Sequence, residues 1–260
     1  MPIRIGTLNL NGLRAAHRKG LQDLLKQANC DIILFQEIRT NPAFDHRPFI
    51  DLEYHLIINP AQKPGYSGTL IAHKLPSLYQ PPVFSWDNLT LCDEGRLIDC
   101  QLTENLRIIN LYMPSGGEEL RQKLKIEYLQ ALQNHPLSQT GLTLVGGDIN
   151  IAATDRDLTN WKGNKGQPGC TLEERDLLQS WLTRNHWVDS YRVMHPVEAP
   201  EEYSWWSYRQ KHAFAKNVGW RIDTIFLPKN FAHLCTNYGF ISMPRCSDHA
   251  LYWIDLEESL

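Results

Sequence analysis

The strand that decides the fold is Leu142-Thr143-Leu144-Val145-Gly146-Gly147-Asp148, which runs directly into Ile149-Asn150. Its first four residues are mainly apolar or β-branched, the pattern of a strand that is covered on both faces. The two glycines allow the backbone or a ligand to approach closely. Asp148 and Asn150 are two residues apart, so both side chains point to one side if the strand continues. Gly-Asp-x-Asn is also good turn chemistry, so this motif alone is weak.

Three further polar islands lie at the ends of apolar runs: Gln36-Glu37, Arg221-Ile222-Asp223 and Ser247-Asp248-His249. Strands disfavour Asp and Asn, so carboxylates and amides at strand ends are costly for folding. Strand ends are also where α/β sheets place their binding crevices. Four such islands in one chain indicate a phosphate-handling catalytic centre.

The whole-chain numbers describe an ordinary globular protein. With 260 residues, 42% hydrophobic and 21% charged, the chain can bury a full core. A net charge of -3 neither announces nor excludes a nucleic-acid partner, because a local basic face can bind one. The six cysteines show no CxxC spacing, and no signal-peptide core or membrane-length apolar run occurs. We therefore expect reduced thiols, no membrane association and a cytoplasmic location. We also expect a monomer.

Hydrophobic periodicity predicts strands that alternate with helices. The strands fall at 3–10, 31–36, 54–59, 68–73, 96–102, 106–112, 142–148, 203–207, 220–227 and 250–256, and the helices at 19–28, 119–134 and 173–184. Several neighbouring strands are close enough in sequence to pair antiparallel. The sequence thus predicts a single α/β domain over 1–260 with mixed sheets.

The islands suggest particular chemistry. Glu37 is a hard oxygen ligand at a strand end, and Asn9 and Asn11 come from the end of the first strand. Few carboxylates and several amides suit Mg²⁺, with Mn²⁺ as an alternative. A solvated loop acid is the simpler interpretation of Glu37 alone. Asp223 stands in an apolar stretch, so its carboxylate needs a partner, for which His249 is the natural candidate. The acids would keep His249 as an imidazolium, which can stabilise a pentacovalent phosphate. A Ser-His-Asp hydrolase fits less well, because no Gly-x-Ser-x-Gly occurs.

Cations and aromatic side chains alternate between residues 160 and 222. They are Lys162, Lys165, Arg209, Lys211, Lys216 and Arg221 with Trp161, Trp205, Trp206, Tyr208 and Trp220. Cations contact a phosphate backbone while aromatic rings accept bases or sugars, so this mixture is typical of a nucleic-acid groove. Ordinary core packing is the alternative for each Trp, and we expect it to hold for at least one.

In order along the chain, the motifs resemble the exonuclease III family of abasic-site endonucleases, within the endonuclease/exonuclease/phosphatase superfamily. The matching stretches are Asn9-Leu10-Asn11-Gly12-Leu13-Arg14, Gln36-Glu37, Gly65-Tyr66-Ser67-Gly68, Glu94-Gly95-Arg96, Leu111-Tyr112-Met113-Pro114-Ser115-Gly116, Gly147-Asp148-Ile149-Asn150, Asn160-Trp161-Lys162-Gly163-Asn164, Tyr203-Ser204-Trp205-Trp206, Lys216-Asn217-Val218-Gly219-Trp220-Arg221-Ile222-Asp223 and Ser247-Asp248-His249. The resemblance implies a four-layer α/β sandwich, with two mixed β-sheets face to face and helices outside. It also implies a metal-dependent phosphodiesterase that incises 5′ to abasic sites in duplex DNA and processes 3′-blocked ends.

The resemblance implies a role for each site residue. The principal metal ligand would be Glu37, with Asn9, Asn11 and Asp248 near the ion. Asp148 would activate the attacking water, Asp223 would orient His249, and the phosphate would be contacted by Asn150, His249 and Tyr112. The flipped-out sugar would be received by Trp205, Trp220 and Ile222, and DNA would be contacted by Arg221, Lys216 and Lys162. Extruding a nucleotide costs stacking energy, and a missing base has the least to lose, so a tight apolar pocket selects for damage.

The sequence departs from the family pattern at three places. Arg39 stands where relatives often have Lys, and Thr224 replaces a frequent aromatic residue. Gly166-Gln167-Pro168-Gly169-Cys170 differs from the usual Asn-bearing loop, which leaves open the balance between incision and 3′→5′ exonuclease activity. The alternatives are a superfamily phosphodiesterase acting on RNA or another phosphodiester, or a catalytically silent DNA-binding relative.

Overall fold

Two mixed β-sheets lie face to face in this computed structural model, which describes residues 2–41, 43–75, 78–87, 89–135 and 141–257. The strands are β1 (Ile3–Asn9), β2 (Ile32–Gln36), β3 (His55–Asn59), β4 (Thr69–His73), β5 (Leu97–Gln101), β6 (Leu106–Tyr112), β7 (Leu142–Asp148), β8 (Trp187–Asp189), β9 (Asp223–Pro228), β10 (Cys235–Ile241) and β11 (Leu251–Leu256). The helices are α1 (Leu13–Arg18), α2 (Leu21–Ala28), α3 (Arg47–Ile50), α4 (Glu119–Asn134), α5 (Trp161–Asn164), α6 (Leu172–Arg184) and α7 (Ser190–Met194). Along the described residues, none of these helices has the length and apolarity needed to cross a membrane.

Each sheet has one parallel pair at its centre. The first sheet has the order β10-β11-β1-β2-β4-β3, and the second β5-β6-β7-β9-β8. Only β1–β2 and β6–β7 pair in parallel, and the remaining neighbours pair antiparallel. The carboxyl ends of β1, β2, β6 and β7 therefore meet the starts of β9 and β11 at one end of the sandwich. Every polar island of the sequence reaches this end.

The hydrophobic core occupies the three spaces between the four layers of helices and sheets. Apolar side chains of both sheets pack between them, α1, α2 and α3 cover the outer face of the first sheet, and α4 and α6 cover the second. A buried polar bridge also joins the sheets: Gln36 of β2 donates to Asn110 Oδ1 of β6 at 2.8 Å. Asn110 donates in turn to the carbonyls of Phe35 and Leu70, each at 3.0 Å. Because these groups are fully satisfied, the bridge can fix the offset of one sheet on the other.

The structure confirms the four-layer sandwich and most of its elements, but one predicted strand is absent and another begins three residues later than predicted. The helix at 119–134 and the strand at 142–148 have the predicted bounds. Residues 203–207 form no strand and make only isolated bridges, in which Trp205 pairs with Trp220 and His249. The strand predicted from 220 begins instead at Asp223, and the sequence analysis missed β8 and β10.

Candidate active site

A cleft of about 820 Å³ opens at the end of the sandwich where the polar islands meet. Its lining includes most of the predicted site residues: Asn9, Asn11, Glu37, Tyr112, Asp148, Asn150, Trp205, Trp220, Ile222, Asp248 and His249. Three of them, Asn11, Glu37 and Asn150, have φ between 47° and 54°, a left-handed conformation that is uncommon outside glycine. Such local strain is often found at functional sites.

Asp148 lines the cleft and is 1% exposed. Its Oδ2 accepts a hydrogen bond from Asn9 Nδ2 at 2.8 Å and from Asn150 Nδ2 at 3.1 Å. Its Oδ1 accepts from the Asn150 backbone N–H at 2.9 Å, which closes the turn after β7. Burial, followed by the nearby Asp223 charge, raises the pKa of Asp148 to about 7. Asp148 is therefore suited to accept a proton near neutral pH.

His249 and Asp223 form a buried ion pair. Asp223 opens β9 opposite Asp148, and its Oδ2 lies 2.8 Å from His249 Nδ1. Burial opposes a charge on the imidazole, but the Asp223 carboxylate outweighs it and raises the pKa of His249 to about 10. The ring is therefore an imidazolium at neutral pH, with Nδ1 held by Asp223 and Nε2 left as its second donor.

Two groups of side chains could hold a metal ion. Among the described residues, one ligand atom each of Asp148, Asp223 and His249 lies within 4.8 Å of the others. A protonated imidazole cannot ligate a cation, so this group is better described as a hydrogen-bonded acid–base cluster. The second group, of Glu37, Asn11 and Asp248, offers carboxylate and amide oxygens at the cleft surface. Hard oxygen donors of this kind fit a divalent cation that keeps part of its water shell.

The oxygen-donor group is held by short contacts. Asn11 Nδ2 donates to Asp248 Oδ1 at 2.9 Å, and Trp205 Nε1 donates to Asp248 Oδ2 at 3.1 Å. The Gly12 N–H donates to the Glu37 carbonyl at 2.9 Å, which places Glu37 beside the turn after β1. The Arg39 guanidinium pairs with the Glu37 carboxylate. Arg39, which differs from the family pattern, therefore contacts the predicted metal ligand.

An apolar wall, formed by Trp205, Trp220 and Ile222, lies next to the acid–base cluster. Trp205 and Trp220 meet edge to face, with ring centroids 6.1 Å apart. The Trp205 ring also lies 6.5 Å from the His249 ring. Ser204 Oγ accepts from the N–H groups of Ile222 and Asp223 at 3.0 and 3.1 Å, which fixes this segment although it is not a strand.

The structure corrects one predicted DNA contact. Arg221 is 4% exposed, and its guanidinium donates to Asp157 Oδ1 and Asp189 Oδ2 at 2.7 Å each. Trp220 and Ile222 line the cleft, so the residue between them points to the opposite side, away from it. Because the Arg221 guanidinium is paired with both carboxylates, its role is structural. Lys162 and Lys216 are exposed but are not part of the described cleft lining.

Residues to which the sequence assigned no catalytic or metal-binding role also lie in the cleft or next to it. Arg96, from the Glu94-Gly95-Arg96 motif, is buried with its guanidinium 4.5 Å from the centre of the Tyr112 ring. Burial raises the pKa of Tyr112 well above its usual value, so its hydroxyl keeps its proton. Gln167, Pro168 and Gly169 of the divergent loop line one edge of the cleft, and Ser207, Tyr208 and Arg209 line another.

Known proteins resemble this chain over nearly its full length. A family described as "Endonuclease/Exonuclease/phosphatase family" matches residues 6–249. An exodeoxyribonuclease of Bacillus subtilis is 32% identical over 249 residues, covering 93% of this chain and 94% of the relative. A DNA-(apurinic or apyrimidinic site) endonuclease of Dictyostelium discoideum is 31% identical over 240 residues, covering 87% of this chain and 63% of the relative. An AP endonuclease structure from Archaeoglobus fulgidus superposes with a TM-score of 0.87 at 25% identity, covering 98% of this chain and 99% of that one.

Proposed function

The chain belongs to the endonuclease/exonuclease/phosphatase family, and on that basis we propose a DNA-repair phosphodiesterase that incises duplex DNA 5′ to abasic sites and trims or unblocks 3′ ends. Nuclease hydrolysis of phosphodiester bonds follows from the family and its exodeoxyribonuclease and endonuclease relatives. One observation carries the abasic-site proposal. The acid–base cluster of Asp148, Asp223 and His249 lies directly beside the apolar wall of Trp205 and Trp220.

Each polar side chain has a distinct task in the proposed reaction. Asp148 takes the proton of the attacking water, since burial brings its pKa to about 7. The His249 imidazolium donates to the phosphoryl oxygens, where negative charge develops in the transition state. The Asn150 amide donates to the Asp148 carboxylate and to the Met113 carbonyl in the free protein, so it must release one of these hydrogen bonds to contact the phosphate. Asp223 holds the imidazole through Nδ1, and the Tyr112 hydroxyl is a further donor at the phosphate.

A divalent metal ion belongs to this proposal. The oxygen atoms of Glu37, Asn11 and Asp248 would hold it, with Asn9 close by, and Mg²⁺ fits such donors best, with Mn²⁺ as the alternative. When bound, it would neutralise charge on the scissile phosphate. The Arg39 guanidinium lies against Glu37, so the metal ion would have to share this carboxylate with Arg39.

The apolar wall supplies selection for damage. Trp205, Trp220 and Ile222 contribute two indole rings and a branched side chain to the cleft lining, next to the imidazolium. A sugar without a base is extruded at the lowest stacking cost and fills a narrow apolar pocket, whereas an intact nucleotide is larger and costs more to flip. Cleavage should therefore favour abasic sites over undamaged duplex.

The experiment compares cleavage of a duplex carrying one abasic site, with Mg²⁺ and with EDTA, for the wild type and Asp148→Ala. We expect metal-dependent cleavage and a loss of at least about 10³-fold in Asp148→Ala, because proton transfer and the hydrogen bonds to Asn9 and Asn150 disappear together. Asp23→Ala, on the exposed face of α2, is the matched control and should cleave normally. Full activity of Asp148→Ala, or cleavage that survives EDTA, would contradict the mechanism. A preference for single-stranded RNA over the abasic duplex would favour the RNA alternative.

A further inference from the structure

A fully buried ion pair lies behind the cleft, between the two helices that cover the second sheet. Lys125 of α4 and Glu174 of α6 are each 0% exposed, and Lys125 Nζ lies 2.6 Å from Glu174 Oε1. Burying two charges is costly, and such a pair persists only when its remaining hydrogen-bonding capacity is used. Lys125 Nζ also donates to the Asn150 carbonyl at 2.8 Å. Glu174 accepts from the backbone N–H groups of Gly169 and Thr171 at 2.9 and 3.0 Å.

These contacts reach two segments that line the cleft, the turn at Asn150 and the loop at Gly169. Asn150 has φ 54°, and its side chain donates to Asp148 from one side while its carbonyl accepts from Lys125 on the other. Gly169 lines the cleft, and its carbonyl accepts from the Ala152 N–H at 2.9 Å. A β-carbon on Gly169 would lie 2.9 Å from the Asn150 carbonyl oxygen, so the two segments are closely packed. The ion pair therefore fixes both of them at one point.

Each charge of the pair stabilises the other. Burial lowers the pKa of Lys125, an effect that the Glu174 carboxylate opposes. Burial by itself would raise the pKa of Glu174, but the Lys125 charge and the hydrogen bonds to Glu174 outweigh it and hold that pKa below its usual value. The charges are thus maintained by each other and by the backbone groups that they hold.

We propose that Lys125 and Glu174 are positioning residues for the phosphodiesterase reaction, which hold the Asn150 amide and the Gly169 edge of the cleft in place. This inference rests on the proposed function. Neither side chain reaches the cleft surface, so both act through the backbone of other residues. An error of about 1 Å in the placement of a donor can cost on the order of 10²-fold in rate, so a fixed carbonyl behind Asn150 matters for catalysis.

The test is the double variant Lys125→Met/Glu174→Gln. It removes both charges together, so no unpaired charge is buried, and it keeps one carbonyl acceptor for the loop. The donor to the Asn150 carbonyl and one of the two acceptor oxygens of Glu174 are lost. The matched control is Arg107→Met/Asp99→Asn, which neutralises the ion pair between β5 and β6 in the same manner. That pair is 2.6 Å long and lies at the opposite end of the strands from the cleft.

For the double variant we expect kcat on the abasic duplex to fall roughly 10- to 100-fold while KM changes less than about 3-fold. The control should keep both constants within about 2-fold of the wild type. Lys125→Arg keeps a buried cation with displaced donors and should lose roughly 3- to 10-fold in kcat at unchanged KM. A wild-type kcat in the double variant would overturn the proposal, as would an equal loss in the control. If the double variant does not fold, a wild-type kcat in Lys125→Arg overturns it instead.

Hydrogen–deuterium exchange separates this inference from the proposed function. In the free protein, the Ala152 and Gly169 amides should exchange at least about 3-fold faster in the double variant than in the wild type, because the junction that protects them is loosened. Unchanged exchange refutes the positioning role. Absence of any cleavage by the wild type refutes the proposed function, whatever the exchange data show.

Discussion

Arg221 should stabilise the fold without contributing to DNA binding, and Arg221→Met separates the two effects. The guanidinium is buried and donates at 2.7 Å to both Asp157 and Asp189. Removing one partner of a buried ion pair costs about 3–5 kcal/mol. We expect the lower end, about 3 kcal/mol, because Asp157 keeps the contact with Arg192. In a chain of this size that corresponds to a Tm lower by roughly 6–12 °C.

The effect on DNA affinity should be absent. Each cation that neutralises a phosphate contributes about 0.9 to the slope of log K against log salt. Because two carboxylates already hold the Arg221 charge, the slope for Arg221→Met should equal that of the wild type. Arg209 is exposed at the edge of the cleft, so Arg209→Met is the control and should reduce the slope by about 0.9.

The assay is fluorescence anisotropy of a labelled duplex with a stable abasic analogue, titrated at several KCl concentrations in EDTA. All proteins are measured well below the lowest Tm, so that unfolding does not enter. The interpretation of Arg221 is wrong if its variant keeps the wild-type Tm and loses about 0.9 in slope.

Two further predictions concern the cleft. Asp223→Asn removes the partner that contributes most to the raised pKa of His249, while the charges of Asp148 and Asp248 remain. The pKa of His249 should therefore fall, so that kcat decreases at pH 8 and recovers in part toward pH 6.5. Stopped assays from pH 6 to pH 9 measure this, and a profile parallel to the wild type would refute the imidazolium role. The double variant Trp205→Ala/Trp220→Ala should reduce the preference for abasic over undamaged duplex at least about 10-fold. The apparent affinity for Mg²⁺ should fall less than this preference, through the loss of the hydrogen bond from Trp205 Nε1 to Asp248. Competition between the two duplexes and a Mg²⁺ titration of the rate check it, and an unaltered preference would exclude the apolar wall as the selector.

Much of the fold was predictable, because helix and strand periods are local. The helix at 119–134 and the strand at 142–148 have strong patterns and the predicted bounds. The segment at 203–207 looks like a strand because of its aromatic residues, yet its β-bridges form only at Trp205, whose ring lines the cleft. The edge strand β10 was missed because its exposed Thr236 and Asn237 interrupt the apolar pattern.

The residue types of the site were predictable from the sequence, but the directions in which their side chains point were less so. Strand-like alternation between Trp220 and Ile222 already implies that Arg221 faces the other way, and this signal was overlooked. Lys125 precedes Leu129 and Leu132 by four and seven residues, which puts it on the buried face of α4. Sequence alone cannot show that Glu174 meets it there, because that contact depends on how two distant helices pack.

The most direct test of the central claim is product mapping on an end-labelled duplex with a single abasic site, incubated with Mg²⁺ and the wild-type protein. Incision 5′ to the site, leaving a 3′-hydroxyl end that a polymerase extends, is the predicted result. An abasic strand that stays intact, or that is shortened only from its 3′ end, would contradict abasic-site incision.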